Sequence, residues 1–177
     1  MLLELPDIIV NSLDNSKLAP LHLAAYLGYN KIVAMLLKRP DIEMNLDCNF
    51  GYVPFHIAVL LQDIEMVKMF VNDPRTNLNA KTKDGDTALH IAISLSRIDI
   101  VKFLLEHDQV DVNAVNNEMN TPLHQAAIFN SVESVSLLLD HDDVDFYIAN
   151  KDVLFLIFME KHLMNVPKII HARKLLI

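Results

Sequence analysis

Apolar positions along this chain recur in paired blocks. Four stretches, "LAPLHLAA" from Leu18, "YVPFHIAV" from Tyr52, "DTALHIAI" from Asp86 and "NTPLHQAA" from Asn120, place apolar residues at helical spacing around one histidine. Each is followed by a polar break and a second apolar-rich block: "KIVAMLL", "EMVKMFV", "DIVKFLL" and "ESVSLLL". The histidines, His22, His56, His90 and His124, stand 34 residues apart, and alanines follow two positions later at Ala24, Ala58, Ala92 and Ala126. An asparagine closes the unit at Asn45, Asn79 and Asn113. Self-similarity at a fixed period predicts a stack of equivalent units, because one helical hairpin cannot bury its apolar face alone.

Within each unit the pattern predicts two short helices and a turn. Thr87 and Thr121 stand where an N-cap hydroxyl accepts from an orphan backbone N–H. Pro20, Pro54 and Pro122 fall at the first helical position, where a missing N–H costs nothing. Leu89, Ala92 and Ile93 carry the helical spacing of the third copy, whose second helix is expected over Asp99 to Glu106. "KDGD", Lys83 to Asp86, is a turn signal. With Gly only at 28, 51 and 85, the exits from the second helices, "KRPDIEMN", "NDPRTNLN" and "EHDQVDVN", are expected to use Pro- or Asp-containing loops instead of a glycine turn.

These residues carry a resemblance. "DGDTALHIAI…DIVKFLLEHDQVDVNA" is similar, almost throughout, to the turn, T-P-L-H-x-A helix, leucine-ended second helix and D-V-N of ankyrin repeat proteins. The resemblance implies an all-α repeat solenoid of stacked helix-turn-helix units. The units span 14–47, 48–81, 82–115 and 116–149. Residues 1–13 read as a partial repeat, a second helix and exit loop. There Leu2, Leu3, Leu5 and Ile8 form an incomplete apolar edge through which the chain is expected to self-associate or fray. In residues 150–177 the motif is gone, and they read as a degenerate repeat, a cap or a truncated tail.

Composition narrows the function. Apolar residues make up 52% of the 177, so the chain has the means to bury a core. Residues 1–149 hold 10 basic and 21 acidic side chains, and 150–177 hold 5 and 2. An acidic body argues against nucleic acid, which is held by Lys and Arg. The longest apolar run, "VLFLIFM" from Val153, is seven residues, where a membrane span needs about 20. Cys48 alone builds neither a disulfide nor a thiolate metal site, which fits an intracellular, cytoplasmic setting.

Catalytic and metal chemistry find little support. Equivalent histidines on packed helices lie about 10 Å apart, while a zinc–nitrogen bond is about 2 Å. The periodic histidines are therefore structural, which is also the role the resemblance implies: each ties its turn to the neighbouring unit. His107 and His141, each beside an aspartate, read as helix C-terminal residues near the negative dipole end. Three isolated glycines make no phosphate loop. No enzyme, cofactor or metal is expected.

Binding remains. The resemblance implies a concave partner face made of the turns and first helices. By register, the turns contribute Asn15, Ser16 and Leu18; Asn49, Phe50 and Tyr52; Lys83, Asp84 and Asp86; and Asn117, Glu118 and Asn120. The first helices contribute Tyr26 and Leu27, Leu60 and Leu61, Ser94 and Leu95, and Ile128 and Phe129. From these, Phe50, Tyr52, Asp84, Asp86, Glu118, Tyr26, Leu61, Leu95 and Phe129 are the candidate partner contacts, against the alternative that the apolar ones pack on neighbouring units. The expected function is a protein–protein interaction scaffold with a protein partner. Its rival is a substrate-recruiting module of a larger enzyme or ligase-type assembly whose catalytic part lies elsewhere.

Overall fold

The computed structural model describes residues 9–145. The expectations for Leu2, Leu3, Leu5 and Ile8, and for 150–177, lie outside the described residues. Eight helices follow in order: α1 (Pro20–Tyr26), α2 (Asn30–Leu37), α3 (Pro54–Leu60), α4 (Ile64–Val71), α5 (Ala88–Ser94), α6 (Ile98–Leu105), α7 (Pro122–Ile128) and α8 (Val132–Asp140). There is no strand among the described residues. Odd-numbered helices pack side by side in one layer, α1 on α3, α3 on α5 and α5 on α7; even-numbered helices form a second layer behind them. The protein is an all-α repeat solenoid.

The period seen in the sequence becomes columns of equivalent atoms. Leu21, Phe55, Leu89 and Leu123 are buried, as are Val33, Val67, Val101 and Val135, and Leu36, Phe70, Leu104 and Leu138. Phe55 and Phe70, from the two layers of one unit, meet with ring centroids 6.2 Å apart. Such helices are too short to persist alone. Burial of these columns between neighbours holds them.

Local backbone geometry repeats as well. Left-handed residues fall in two 34-residue series: Lys17, Gly51, Gly85 and Met119 in the turns, and Gly28, Gln62, Ser96 and Asn130 between the paired helices. Glycine is required where the turns touch. A Cβ at Gly51 would lie 2.6 Å from the Lys83 nitrogen, and one at Gly85 would lie 2.7 Å from the Asn117 nitrogen. That close approach permits a bond from turn to turn: Lys83 N–H donates to the Phe50 carbonyl (3.2 Å) and Asn117 N–H to the Asp84 carbonyl (3.0 Å). Lys17 holds the same conformation with a full side chain, and among the described residues no equivalent bond joins Asn49 to Ser16.

Of three local expectations, the first and the last need correction, while the second, exits without a glycine turn, stands. The third unit's second helix is Ile98–Leu105, one residue earlier than read. The exits from α2, α4 and α6 leave through right-handed residues, Lys38, Asn72 and Glu106. At the first of these, the Arg75 guanidinium of the following exit loop donates to the carbonyls of Leu37 (2.6 Å) and Arg39 (2.9 Å), satisfying the end of α2. Finally, of the two threonine hydroxyls only that of Thr121 caps as expected, accepting from the His124 N–H at 3.4 Å, while Thr87 makes no side-chain cap bond. Both hydroxyls also meet the imidazole Nδ1, at 2.9 and 2.8 Å.

Candidate partner-binding surface

Two hydrogen-bond ladders set the shape of the surface. In the first, the N-cap backbone N–H of each odd-numbered helix donates to the Nδ1 of the histidine three residues on: Ala19 to His22 (3.1 Å), and Val53 to His56, Thr87 to His90 and Thr121 to His124 (each 3.3 Å). With Nδ1 accepting, the neutral ring carries its proton on Nε2. That proton is donated onward: His22 to the Tyr52 carbonyl (3.1 Å) and His90 to Asn120 (3.0 Å), both in the next unit, and His56 to Ala80 (2.9 Å) at the end of its own unit. Burial pushes all four pKa values down, those of His56 and His124 to about 4. The neutral ring is the form that the ladder uses. The histidines are structural parts, as read.

The second ladder explains the recurring asparagine. Asn11, Asn45, Asn79 and Asn113 each donate from Nδ2 to a carbonyl 30 residues on: Asp41, Arg75, Gln109 and Asp143, at 2.7 to 2.8 Å. Each accepts at Oδ1 from a backbone N–H 32 residues on, of Glu43, Asn77, Asp111 and Asp145, at 2.8 to 2.9 Å. One primary amide thus staples consecutive exit loops. The sequence showed the recurrence of Asn but not this role.

With the histidines and asparagines engaged in structure, the turns and the first-helix ends remain as surface. Leu27, Leu61, Leu95 and Phe129, each the residue that follows an odd-numbered helix, are 54%, 45%, 40% and 50% exposed. They form a column of four apolar ribs. Beside them Tyr26 and Ile128 are exposed, and Leu60 and Ser94 are half-buried. The residues on the other side, Gly28, Gln62, Ser96 and Asn130, are uncharged and exposed. Leu61, Leu95, Phe129 and Tyr26 therefore stand in the open. Leu27 was part of the register but was not among the chosen contacts.

The turn residues divide. Phe50 is 71% exposed at its turn. Tyr52, two residues on, is half-buried against the core, its ring edge-on to His56 with centroids 6.0 Å apart. Burial raises its phenol pKa, and the nearby carboxylates of Asp84 and Asp86 raise it further. Asp84 is exposed. Asp86 is half-buried and accepts from Asn116 Nδ2 at 2.8 Å, so part of its charge is used within the fold. Glu118 is exposed and accepts from Asn120 Nδ2 at 3.1 Å. The turn row is thus aromatic at Phe50 and acidic at Asp84 and Glu118.

Other sequence candidates have local partners. His107 Nδ1 meets the Phe103 carbonyl of its own helix at 2.7 Å, as expected for a helix C-terminal histidine. His141, which follows α8, instead accepts from the Asp143 N–H at 3.2 Å. Among the described residues no three His, Cys, Asp or Glu side chains gather as metal ligands. Nor is any helix there long and apolar enough to cross a membrane.

Compared with known families, the chain matches a model described as ankyrin repeats (3 copies) over residues 1–82 and 55–150. Against curated proteins it shows no significant match.

Proposed function

The chain belongs to the ankyrin repeat family, whose repeats generally serve as protein–protein interaction modules, and on that premise we propose that it is a scaffold binding a protein partner through its turns and first-helix ends. The reading divides the chain into repeats at 14–47, 48–81, 82–115 and 116–149. The observation that carries it is the column Leu27, Leu61, Leu95 and Phe129. An isolated exposed leucine needs no explanation, but the same register position left open in four consecutive units makes a continuous apolar strip. Phe50 and Tyr26 extend the surface as aromatic anchors, and Asp84 and Glu118 orient the partner electrostatically. Asp86 and Tyr52 contribute more to holding the turns than to contact. In this reading the scaffold has no chemistry of its own; both ring nitrogens of His22, His56 and His90 are used within the fold.

A photo-crosslinking side chain at Leu95, and another at Lys102 on the outer helix α6, tests this in extract of the native cell. The expected result is a discrete protein adduct from position 95 and none from 102. Equal or reversed labelling would overturn the assignment of the face.

A further inference from the structure

We propose that the array has one soft joint, at which the first unit swings against the other three, with the exit loops as the pivot and the turns as the side that opens. The turn edge carries the first argument. Between the second and third units Lys83 N–H donates to the Phe50 carbonyl, and between the third and fourth Asn117 N–H donates to the Asp84 carbonyl. At the latter, side chains add two ties of 2.8 Å, from Asn117 Nδ2 to the Lys83 carbonyl and from Asn116 Nδ2 to Asp86. The approach that permits the backbone bond depends on a missing Cβ, at Gly51 and at Gly85. Lys17 holds the same left-handed position, at a φ of 59°, with a Cβ in place. That atom stands where the second turn would have to come. The Ser16 carbonyl and the Asn49 N–H, counterparts of the bonded pairs, accordingly make no bond to each other and lie exposed. Among the described residues, the turn sides of the first two units share one hydrogen bond, from His22 Nε2 to the Tyr52 carbonyl.

The exit edge of the same interface is reinforced instead. There the Asn45 amide makes its two bonds, to the Arg75 carbonyl and from the Asn77 N–H. The Arg75 guanidinium adds its bonds to the Leu37 and Arg39 carbonyls, and Asp73 fixes it with two more, at 2.6 and 2.9 Å. One period on, the register puts Gln109 at this place and then Asp143, neither of which has a guanidinium. Bonds gathered on one edge and scarce on the other define a hinge axis. The apolar packing of α1 on α3 is as close as in the later pairs, and it supplies the resting position. The first unit is also less buried on its other side. Leu23 and Ile32 are exposed, while their counterparts Ile57, Ile91 and Gln125, and Met66, Ile100 and Ser134, are buried. Sparse burial marks a segment that opens at lower free energy than the rest. Leu27 rides on the first unit, and Leu61, Leu95 and Phe129 on the others. The motion therefore changes the first interval of the apolar column and leaves the other two fixed.

Native-state hydrogen exchange of the full chain tests this, on the wild type, Lys17→Gly, Lys17→Asn and Arg75→Gln, with circular dichroism as the check on folding. Asparagine accepts the left-handed conformation but keeps the Cβ, whereas glycine removes it. In the wild type the amides of α1 and α2 should exchange at least tenfold more readily than those of α3 and α5, with the weak denaturant dependence of a local opening. Lys17→Gly should close the joint: the Asn49 amide gains its acceptor and slows at least tenfold, and the α1 amides slow with it. Lys17→Asn should leave the Asn49 amide at its wild-type rate. Arg75→Gln should speed the α1 and α2 amides several-fold and leave those of α5 unchanged. Equal rates at Asn49 in the two Lys17 variants would reduce the motion to fraying and overturn the joint. Uniform protection from α1 to α5 in the wild type would overturn it too. An even acceleration of every helix in Arg75→Gln would overturn the pivot.

Discussion

His56 donates from Nε2 to the Ala80 carbonyl across 2.9 Å while accepting at Nδ1 from the Val53 N–H. Protonation would turn Nδ1 into a second donor facing a donor, at a fully buried ring. Burial accordingly holds the His56 pKa at about 4 against an ordinary 6.5. The unfolded chain binds this proton between pH 6.5 and 4 and the folded chain does not, so stability falls as the pH drops through that window. The loss for His56 alone approaches about 3 kcal/mol below pH 4. His22, His90 and His124 act in the same direction. Urea midpoints at pH 7.5, 6.0 and 5.0 should fall steadily, and His56→Gln should flatten the profile. An unchanged midpoint at pH 5.0 would contradict the ladder.

Glycine substitutions should separate two kinds of left-handed residue. At Gly85 an alanine meets both an unfavourable φ of +82° and the Asn117 backbone at 2.7 Å. At Gly28 it meets a φ of +68° and no atom within 4 Å. Gly28→Ala should cost about 1 kcal/mol, and Gly85→Ala about 3 kcal/mol with loss of the turn-to-turn bond. Thermal denaturation of the two variants makes the comparison, and equal shifts would refute it.

The asparagine staples predict a cost for Asn79→Ala of about 1–2 kcal/mol, since two bonds to the next exit loop are lost and their partners left to water. Hydrogen exchange should show faster exchange of the Asp111 amide in particular, because its acceptor is the Asn79 side chain.

Ala19→Thr should raise the melting temperature, because the new hydroxyl would meet His22 as Thr87 meets His90, worth about 1 kcal/mol. Val53→Thr should not. Val53 is buried, and exchanging a methyl for the hydroxyl loses apolar contact as it gains the bond. A calorimetric scan in which both variants gain equally would contradict this.

The period, the helices and the structural role of the histidines were legible because the same residue types recur within one chain, so that each copy supports the reading of the others. The starts of the second helices were not. Tyr29, Asp63, Arg97 and Ser131 share one position and nearly one backbone conformation, but have no side-chain chemistry in common. Only Asp63 caps with its side chain. Packing between the layers sets that boundary, as it sets the left-handed conformation at Gln62, Ser96 and Asn130, where no glycine advertises it. On the candidate surface, register placed Leu61, Leu95 and Phe129 at open positions. It could not separate Phe50 from Tyr52, because two residues near one turn can point to solvent and to core respectively.

The asparagine staples bear on how such a gene can change length. Each amide reaches backbone groups at fixed offsets of 30 and 32 residues. One codon added between Asn79 and Gln109 would set the amide against the wrong carbonyl and the wrong N–H, and would displace the histidine bonds that bracket it. Loss or gain of a whole unit leaves every offset intact. The array is thereby quantised: it tolerates duplication or excision in multiples of 34 residues and resists indels of one or two.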